Sequence, residues 1–276
     1  MGAFRHYIME EFKRRKRKMD ESALIFIIGG IVFTTFAVEG IAGFGSTVMA
    51  LPFVAMLIGV EKAVPMLSSM GLLLSLFIVC RSYRKLDFRE YGFIVFHAAP
   101  GVAAGLFLTD FLSRNVLIAL LVCFIFFVGI RGLACSFRAG GALPAPGVKD
   151  PHTLSARGIL FLGGVIQGAF SSGGPVVVMY ASKAILEKSR FRAVLSSLWL
   201  TTNSIMALKW TVAGNVWTPF LGRMILFLLP FIVCGMVTGD FLHNKVDQRK
   251  FTLLVYSVLI VAGVMLGTNL ARSLLS

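Results

Sequence analysis

Long apolar runs separated by short polar links dominate the chain. The runs fall at 22–43, 46–60, 63–80, 91–111, 116–137, 158–172, 175–186, 193–213, 220–242 and 251–270. A bilayer's hydrocarbon core is about 30 Å thick and takes about 20 helical residues to cross, and most of these runs meet that length. The pattern predicts an all-α polytopic membrane protein. Two runs, 46–60 and 175–186, are too short for a comfortable crossing. They are expected to be half-helices.

Between the two halves lies "RAGGALPAPGVKDPHTLSAR", Arg138 to Arg157, whose Gly, Pro and charge content marks a linker outside the membrane. The expected organisation is a basic arm at 1–21, a first membrane repeat at 22–137, the linker at 138–157 and a second membrane repeat at 158–276. A shift of 128 residues lays "VEGIAGFGSTV" (Val38 to Val48) on "IQGAFSSGGPV" (Ile166 to Val176) without a gap, and "MLSSM" (Met66 to Met70) on "VLSSL" (Val194 to Leu198). It gives 9 identities in 40 positions from Gly30 to Ser69, concentrated on Gly and Ser. Farther on, a shift of 134 pairs Gly101 and Gly105 with Gly235 and Gly239, and Gly129 with Gly263. These four paired glycines at i, i+4 suit close helix packing.

Composition narrows the class. Of 276 residues, 57% are hydrophobic and 14% charged, and the mean hydropathy is +0.84. A soluble domain is excluded. The net charge of +14 does not signal nucleic acid, because the basic residues sit in "KRRKRK" (Lys13 to Lys18) and in the links, where they suit anionic headgroups. The first 21 residues are too charged for a cleaved signal peptide and read as a retained cytoplasmic arm. Basic residues crowd Arg81–Arg89, the central linker, Glu187–Arg192 and His243–Lys250, whereas "TDFLSRN" and "AGNVWTP" are poor in them. The rich links are expected in the cytoplasm of a multi-pass plasma (inner) membrane protein. They share the arm's side only if an even number of crossings precedes Arg81, so one early segment is expected to enter and leave on one face. The two halves then run in opposite orientations, as an inverted repeat. Cys80, Cys123, Cys135 and Cys234 form no CxxC or Cys/His cluster and are expected to be buried structural thiols, with neither metal site nor cofactor.

The chemistry concentrates where the apolar pattern breaks. "AGFGST" and "FSSGG" followed by Pro175 occupy the same place in each half. A helix broken at membrane depth is tolerated only against protein or a wet cavity. Pro175 suits the first turn of a new helix, and Ser46, Thr47, Ser171 and Ser172 suit N-caps. Two helix N-termini directed at the midplane would offer free N–H donors and partial positive charge to an anion. Candidate substrate-binding residues are therefore Gly43, Gly45, Ser46, Thr47, Ser171, Ser172, Gly173, Gly174 and Asn203, with Ser69 and Ser197 as secondary candidates. Glu39 is an ionisable group deep in an apolar run and so a functional hypothesis: a proton-coupling site, or the structural partner of Lys183 or Lys209. Gln167, its equivalent in the second half, keeps the hydrogen-bonding shape without the charge. His97 reads as a packed or interfacial histidine.

On these residues the chain resembles the TauE/SafE family of sulfite and organosulfur anion transporters, a family that includes permeases for toluene sulfonate. The resemblance rests on "GIAGFGSTVMALP" and "GVIQGAFSSGGPVVV", on the "LSS" that follows in each half, and on the basic central linker, and it covers residues 23–270. The family pattern has a glycine run before a proline in each half. Here the first copy reads Gly-Phe-Gly-Ser with Pro52 downstream, and the second has two adjacent glycines. The resemblance implies alternating-access transport of a small anion such as sulfite, a sulfonate or sulfoacetate, with protons as a candidate coupling ion and a homodimer as a candidate assembly. A passive anion channel and a non-transporting assembly factor share parts of the pattern. An intramembrane serine protease does not fit, since His97 stands without a GxSG partner. No catalytic residue is expected.

Overall fold

The structure is a computed structural model that describes residues 22–41, 44–138, 153–185, 187–214, 216–242 and 248–275. Its described residues are helical, without strands: α1 (Ser22–Ile41), α2 (Ser46–Ile58), α3 (Val60–Ser82), α4 (Phe88–Phe111), α5 (Arg114–Arg138), α6 (Leu154–Phe170), α7 (Gly174–Ala184), α8 (Lys188–Ala213), α9 (Pro219–Leu242) and α10 (Gln248–Leu275). The protein is an all-α multi-pass membrane protein. Among the described residues, α1, α3 with the short 3-10 turn after it, α4, α5 and α9 are long and apolar enough to cross a bilayer. Helix α8 has the length, 26 residues. Its hydroxyl and amide side chains at Ser196, Ser197, Thr201, Thr202 and Asn203 dilute the apolar signal, and all but the half-buried Thr201 are buried.

Both short runs are half-helices, of 13 residues in α2 and 11 in α7. The chain turns into α2 through Gly45 at φ 104, a left-handed conformation that favours glycine. It leaves α6 through Ser171, at φ 52, whose N–H bonds back to the Gln167 carbonyl at 2.7 Å. Pro175 occupies the first turn of α7, where no intrahelical donor is lost. Gly59, at φ 85, joins α2 to α3 with no intervening loop. Tyr180 then ties α7 to α4 by donating to Glu90 Oε2 at 3.0 Å.

Small residues set the helix pairings. A Cβ on Gly101 or Gly105 of α4 would overlap the Phe161 or Val165 carbonyl of α6, and one on Gly164 or Gly168 of α6 would overlap the Ala98 or Val102 carbonyl of α4. The residue numbers rise together, so α4 and α6 run parallel. On the opposite side of the bundle Gly235 and Gly239 of α9 meet Phe33 and Ala37 of α1, while Gly29 and Gly40 meet Phe231 and Gly239. Helices α1 and α9 are parallel too. In contrast α5 and α10 are antiparallel, Gly132 against Tyr256 and Gly263 against Ile125. So are α3 and α8, with Ser68 bonded to Asn203 in the middle and Lys85, just past the end of α3, bonded to Ser189 at 3.2 Å.

These directions sort the links onto two faces. One, the basic face, carries the α3–α4 link with Lys85, the start of α8 and the end of α9, where Arg192 pairs with Asp240 at 2.9 Å. The other carries the ends of α4 and α8, where Lys209 pairs with Asp110 at 2.7 Å, and the starts of α3 and α9, where Lys62 lies over Phe220. Because α1 parallels α9, Ser22 begins on this second face. Helix α1 thus runs from the second face toward the basic one, α2 leads back to the start of α3 on the second face, and α3 runs from there to Arg81. The cysteine expectation changes: Cys80, Cys123 and Cys234 are exposed. In a membrane bundle apolar side chains face lipid as readily as core, so apolar surroundings do not imply burial. The side chain of Cys135 and residues 1–21 lie outside the described set.

Candidate functional site

The two breaks meet at one pocket of about 360 Å³, lined by Glu39, Gly45, Thr47, Val48, Gly71, Ser75, Gln167, Ser171, Ser172, Gly174, Pro175, Trp199 and Asn203. Its membership follows the internal repeat. Glu39 and Gln167, Thr47 and Pro175, Gly71 and Trp199, and Ser75 and Asn203 are each 128 positions apart. Each half thus sends the last turn of a long helix, the first turn of a half-helix, and one face of the following helix into the same space. Gly71 with Ser75, and Trp199 with Asn203, are i, i+4 pairs, which stack on one helix face.

Glu39 and Gln167 perform the same local task. Glu39 Oε2 accepts from the Ser46 backbone N–H at 3.0 Å and also from the Ser46 hydroxyl. Gln167 Oε1 accepts from the Gly173 backbone N–H at 2.9 Å. Each side chain reaches forward across its break and caps the half-helix that follows, satisfying a donor that has no intrahelical acceptor. Both are buried, 6% and 3% exposed. Gln167 also donates, through Nε2, to Asn203 Oδ1 at 3.0 Å. That oxygen further accepts from Ser68 at 3.1 Å and Ser171 at 3.4 Å. With Oδ1 taken three times, Asn203 Nδ2 has no partner among the described residues and remains a donor beside the pocket.

The candidate residues divide accordingly. Gly45, Thr47, Ser171, Ser172, Gly174, Asn203, Glu39 and Gln167 line the pocket. Ser46 is buried behind it as Glu39's partner, and Gly173 as Gln167's, packed so closely that a Cβ would overlap the Gly163 carbonyl. Ser69 is turned away and bonds to the Pro65 carbonyl at 2.7 Å. Ser197 is buried without reaching the pocket. Gly43 and the side chain of Lys183 lie outside the described residues. Lys209 is not a partner of Glu39, because it bonds to Asp110 and to the Leu106 carbonyl at 2.8 Å at the second face. His97 is a packed histidine, its Nδ1 2.8 Å from the Phe93 carbonyl and its ring against Phe93 and Phe96. The candidate set missed Val48, Gly71, Ser75, Pro175 and Trp199. For Gly71, Ser75 and Trp199 the signal was the same 128-residue register carried past "LSS", but Gly against Trp and Ser against Asn do not register as a match.

Chemically, the pocket offers neutral donors, two helix N-termini already capped by side chains, and one carboxyl group. Among the described residues no set of His, Cys, Asp and Glu could hold a metal ion. Among the described residues no lysine or arginine lines it. An anion there would be held by hydroxyl, amide and helix-terminal N–H groups. An ionised Glu39 would compete with it for the same positive potential.

The profile described as "Sulfite exporter TauE/SafE" matches residues 25–266. The chain is 26% identical over 191 residues to the "Probable inner membrane transporter protein TsaS" of Comamonas testosteroni, covering 69% of this chain and 77% of that protein. No solved structure matches.

Proposed function

This chain belongs to the TauE/SafE sulfite exporter family and is a membrane transporter, and on that premise we propose that it carries a small oxyanion, sulfite or an organic sulfonate, by alternating access through the pocket between α2 and α7. The observation that carries the reading is the pairing at that pocket. Both halves contribute the same positions, each half-helix begins there, and Asn203 Nδ2 faces it unpartnered. Residues 22–137 and 158–276 form the two repeats, related by a pseudo-twofold axis in the membrane plane, with 138–157 as their linker. The parallel pairings of α1 with α9 and of α4 with α6 support this, because the twofold exchanges them. The basic face is cytoplasmic by the charge of its links.

Glu39 is the coupling site. Its carboxylate, when ionised, puts a negative charge in the space the substrate needs, and protonation removes it. Gln167 at the equivalent position caps its half-helix without a charge, so the cap alone does not require a carboxylate. Proton and anion therefore bind together and travel together. Purified protein reconstituted into proteoliposomes and assayed with sulfite, sulfonates and carboxylates, with and without a proton gradient, tests this. Uptake of sulfite or a sulfonate that accumulates against its gradient only when a proton gradient is present is the expected result. Saturable carboxylate transport alone, or flux that never exceeds equilibrium, would overturn it.

A further inference from the structure

Behind the α7 break lies a second cavity, of about 480 Å³, between α5, α7 and α10. Its polar lining includes Arg131, Ser182 and Tyr256, and Phe44 and Pro175 form its inner wall. Pro175 lines the central pocket as well. Phe44 sits within about one van der Waals contact of Gly174, which also lines that pocket: a Cβ on Gly174 would lie 3.7 Å from the Phe44 ring. The partition between the two spaces is thus one side chain and one proline thick.

Two groups in this cavity lack partners among the described residues. Arg131 lies inside the apolar span Asn115–Ala134, where a charge is expensive, yet it has neither ion pair nor hydrogen bond among the described residues. Ser182 Oγ is buried with no hydrogen-bond partner. A guanidinium and an unsatisfied hydroxyl facing one cavity call for a charged acceptor, since an oxyanion satisfies both by charge-assisted bonds. Arg131 stands seven residues before the end of α5, and Tyr256 eight after the start of α10. At the helical rise both are about 10–12 Å from the basic face. The cavity therefore extends from the basic-face half of the bundle toward the break. Its two polar groups are not repeated in the other half: the positions equivalent to Arg131 and Ser182 under the repeat shifts are Met265 and Val54, both apolar.

We propose that this cavity is a second oxyanion site, a vestibule on the basic face that holds the substrate before it reaches, or after it leaves, the central pocket. Arg131 supplies its charge and Ser182 a second donor, and the wall of Phe44 and Pro175 must move for the anion to pass. The inference rests on the transporter reading above. It adds a site with a side: the vestibule serves one face only.

The test compares Arg131→Gln, Arg131→Lys and Ser182→Ala with wild type, using radiolabelled sulfite and an aryl sulfonate. The probes are presented to the basic face in inverted membrane vesicles and to the other face in intact cells. Loss of a charge-assisted contact predicts that Arg131→Gln raises KM about tenfold or more in inverted vesicles. KM in intact cells stays at the wild-type value. Arg131→Lys retains most of the affinity, and Ser182→Ala gives a smaller rise on the same face, which keeps the test open if Arg131→Gln fails to insert. Equal KM values for all variants on both faces, or an equal rise on both, would overturn the vestibule. The competing source of an oxyanion is a lipid headgroup. In proteoliposomes of phosphatidylcholine with and without phosphatidylglycerol, an Arg131→Gln effect confined to the anionic-lipid vesicles would assign the cavity to lipid and overturn the proposal. Wild-type protein that moves neither probe would sink the transporter's substrate class instead, a result distinct from wild-type flux with unaltered variants.

Discussion

Replacing Glu39 by Gln separates its two roles, because the amide keeps the cap and removes the charge. The cap is one backbone bond at 3.0 Å and one hydroxyl bond, both to Oε2, and Gln167 makes the equivalent backbone bond at 2.9 Å with an amide oxygen. Hydrogen bonds to a charged group contribute about 1.5–3 kcal/mol and neutral ones about 0.5–1.5, so the exchange weakens the two-bond cap by about 2 kcal/mol. Relief of the carboxylate's desolvation offsets part of that, and the variant is expected to insert and fold. The substrate feels a larger change. Glu39 lines the pocket, and an anion about 5 Å from its carboxylate would be repelled by about 3 kcal/mol at an effective dielectric of about 20. That is about two decades of affinity. Wild-type binding should therefore tighten as pH falls and Glu39 takes up a proton, by linkage between proton and anion. Glu39→Gln should bind tightly at every pH, exchange substrate across the membrane, and fail to accumulate it on a proton gradient. The assay is substrate binding by isothermal titration across pH, with counterflow and gradient-driven uptake in proteoliposomes. Glu39→Gln with a wild-type pH response and wild-type accumulation would show that the carboxylate only caps α2. Glu39→Ala, which leaves the buried Ser46 donors unpaired, should lose about 1–3 kcal/mol of stability instead.

Three further outcomes are expected. Gly105→Ala drives a methyl into the Val165 carbonyl and should destabilise the α4–α6 contact by about 1–3 kcal/mol, whereas Gly30→Ala meets nothing within 4 Å and should be neutral or slightly stabilising in thermal unfolding of the detergent-solubilised protein. Asn203→Asp removes the unpartnered Nδ2 donor and adds a negative charge at the pocket, so substrate affinity should fall about tenfold to a hundredfold at neutral pH, measured by uptake kinetics. In a background lacking the native cysteines, Ser22→Cys should react with an impermeant thiol reagent from the same side as Ser113→Cys and the opposite side from Arg84→Cys; labelling of Ser22→Cys together with Arg84→Cys would reverse the direction assigned to α1.

Much of this molecule was readable from one dimension. A span is a local property, since about 20 apolar residues cross a bilayer whatever surrounds them, and so the helices, the two short runs and the breaks were visible in order along the chain. The breaks could be read because Gly, Ser, Thr and Pro cluster in them, and broken backbone at membrane depth is tolerated only against protein or a wet cavity. Register between the halves carried Glu39 to Gln167 for the same reason, as both serve the break beside them.

What remained hidden depended on which side of a helix met which neighbour. Lipid and core are equally apolar, so composition does not reveal the buried face of a membrane helix, and Cys80, Cys123 and Cys234, expected inside, lie outside. Charge counts assigned the links, but only the pairing of Gly29 with Phe231 and of Gly40 with Gly239 revealed that α1 parallels α9 and begins on the far face. Lys209 was a plausible partner for Glu39 by hydropathy alone, and its pairing with Asp110 follows from α4 and α8 ending together. Trp199 and Gly71 joined the site because two antiparallel helices bring equivalent faces to one pocket, and that proximity is a property of packing rather than of either segment.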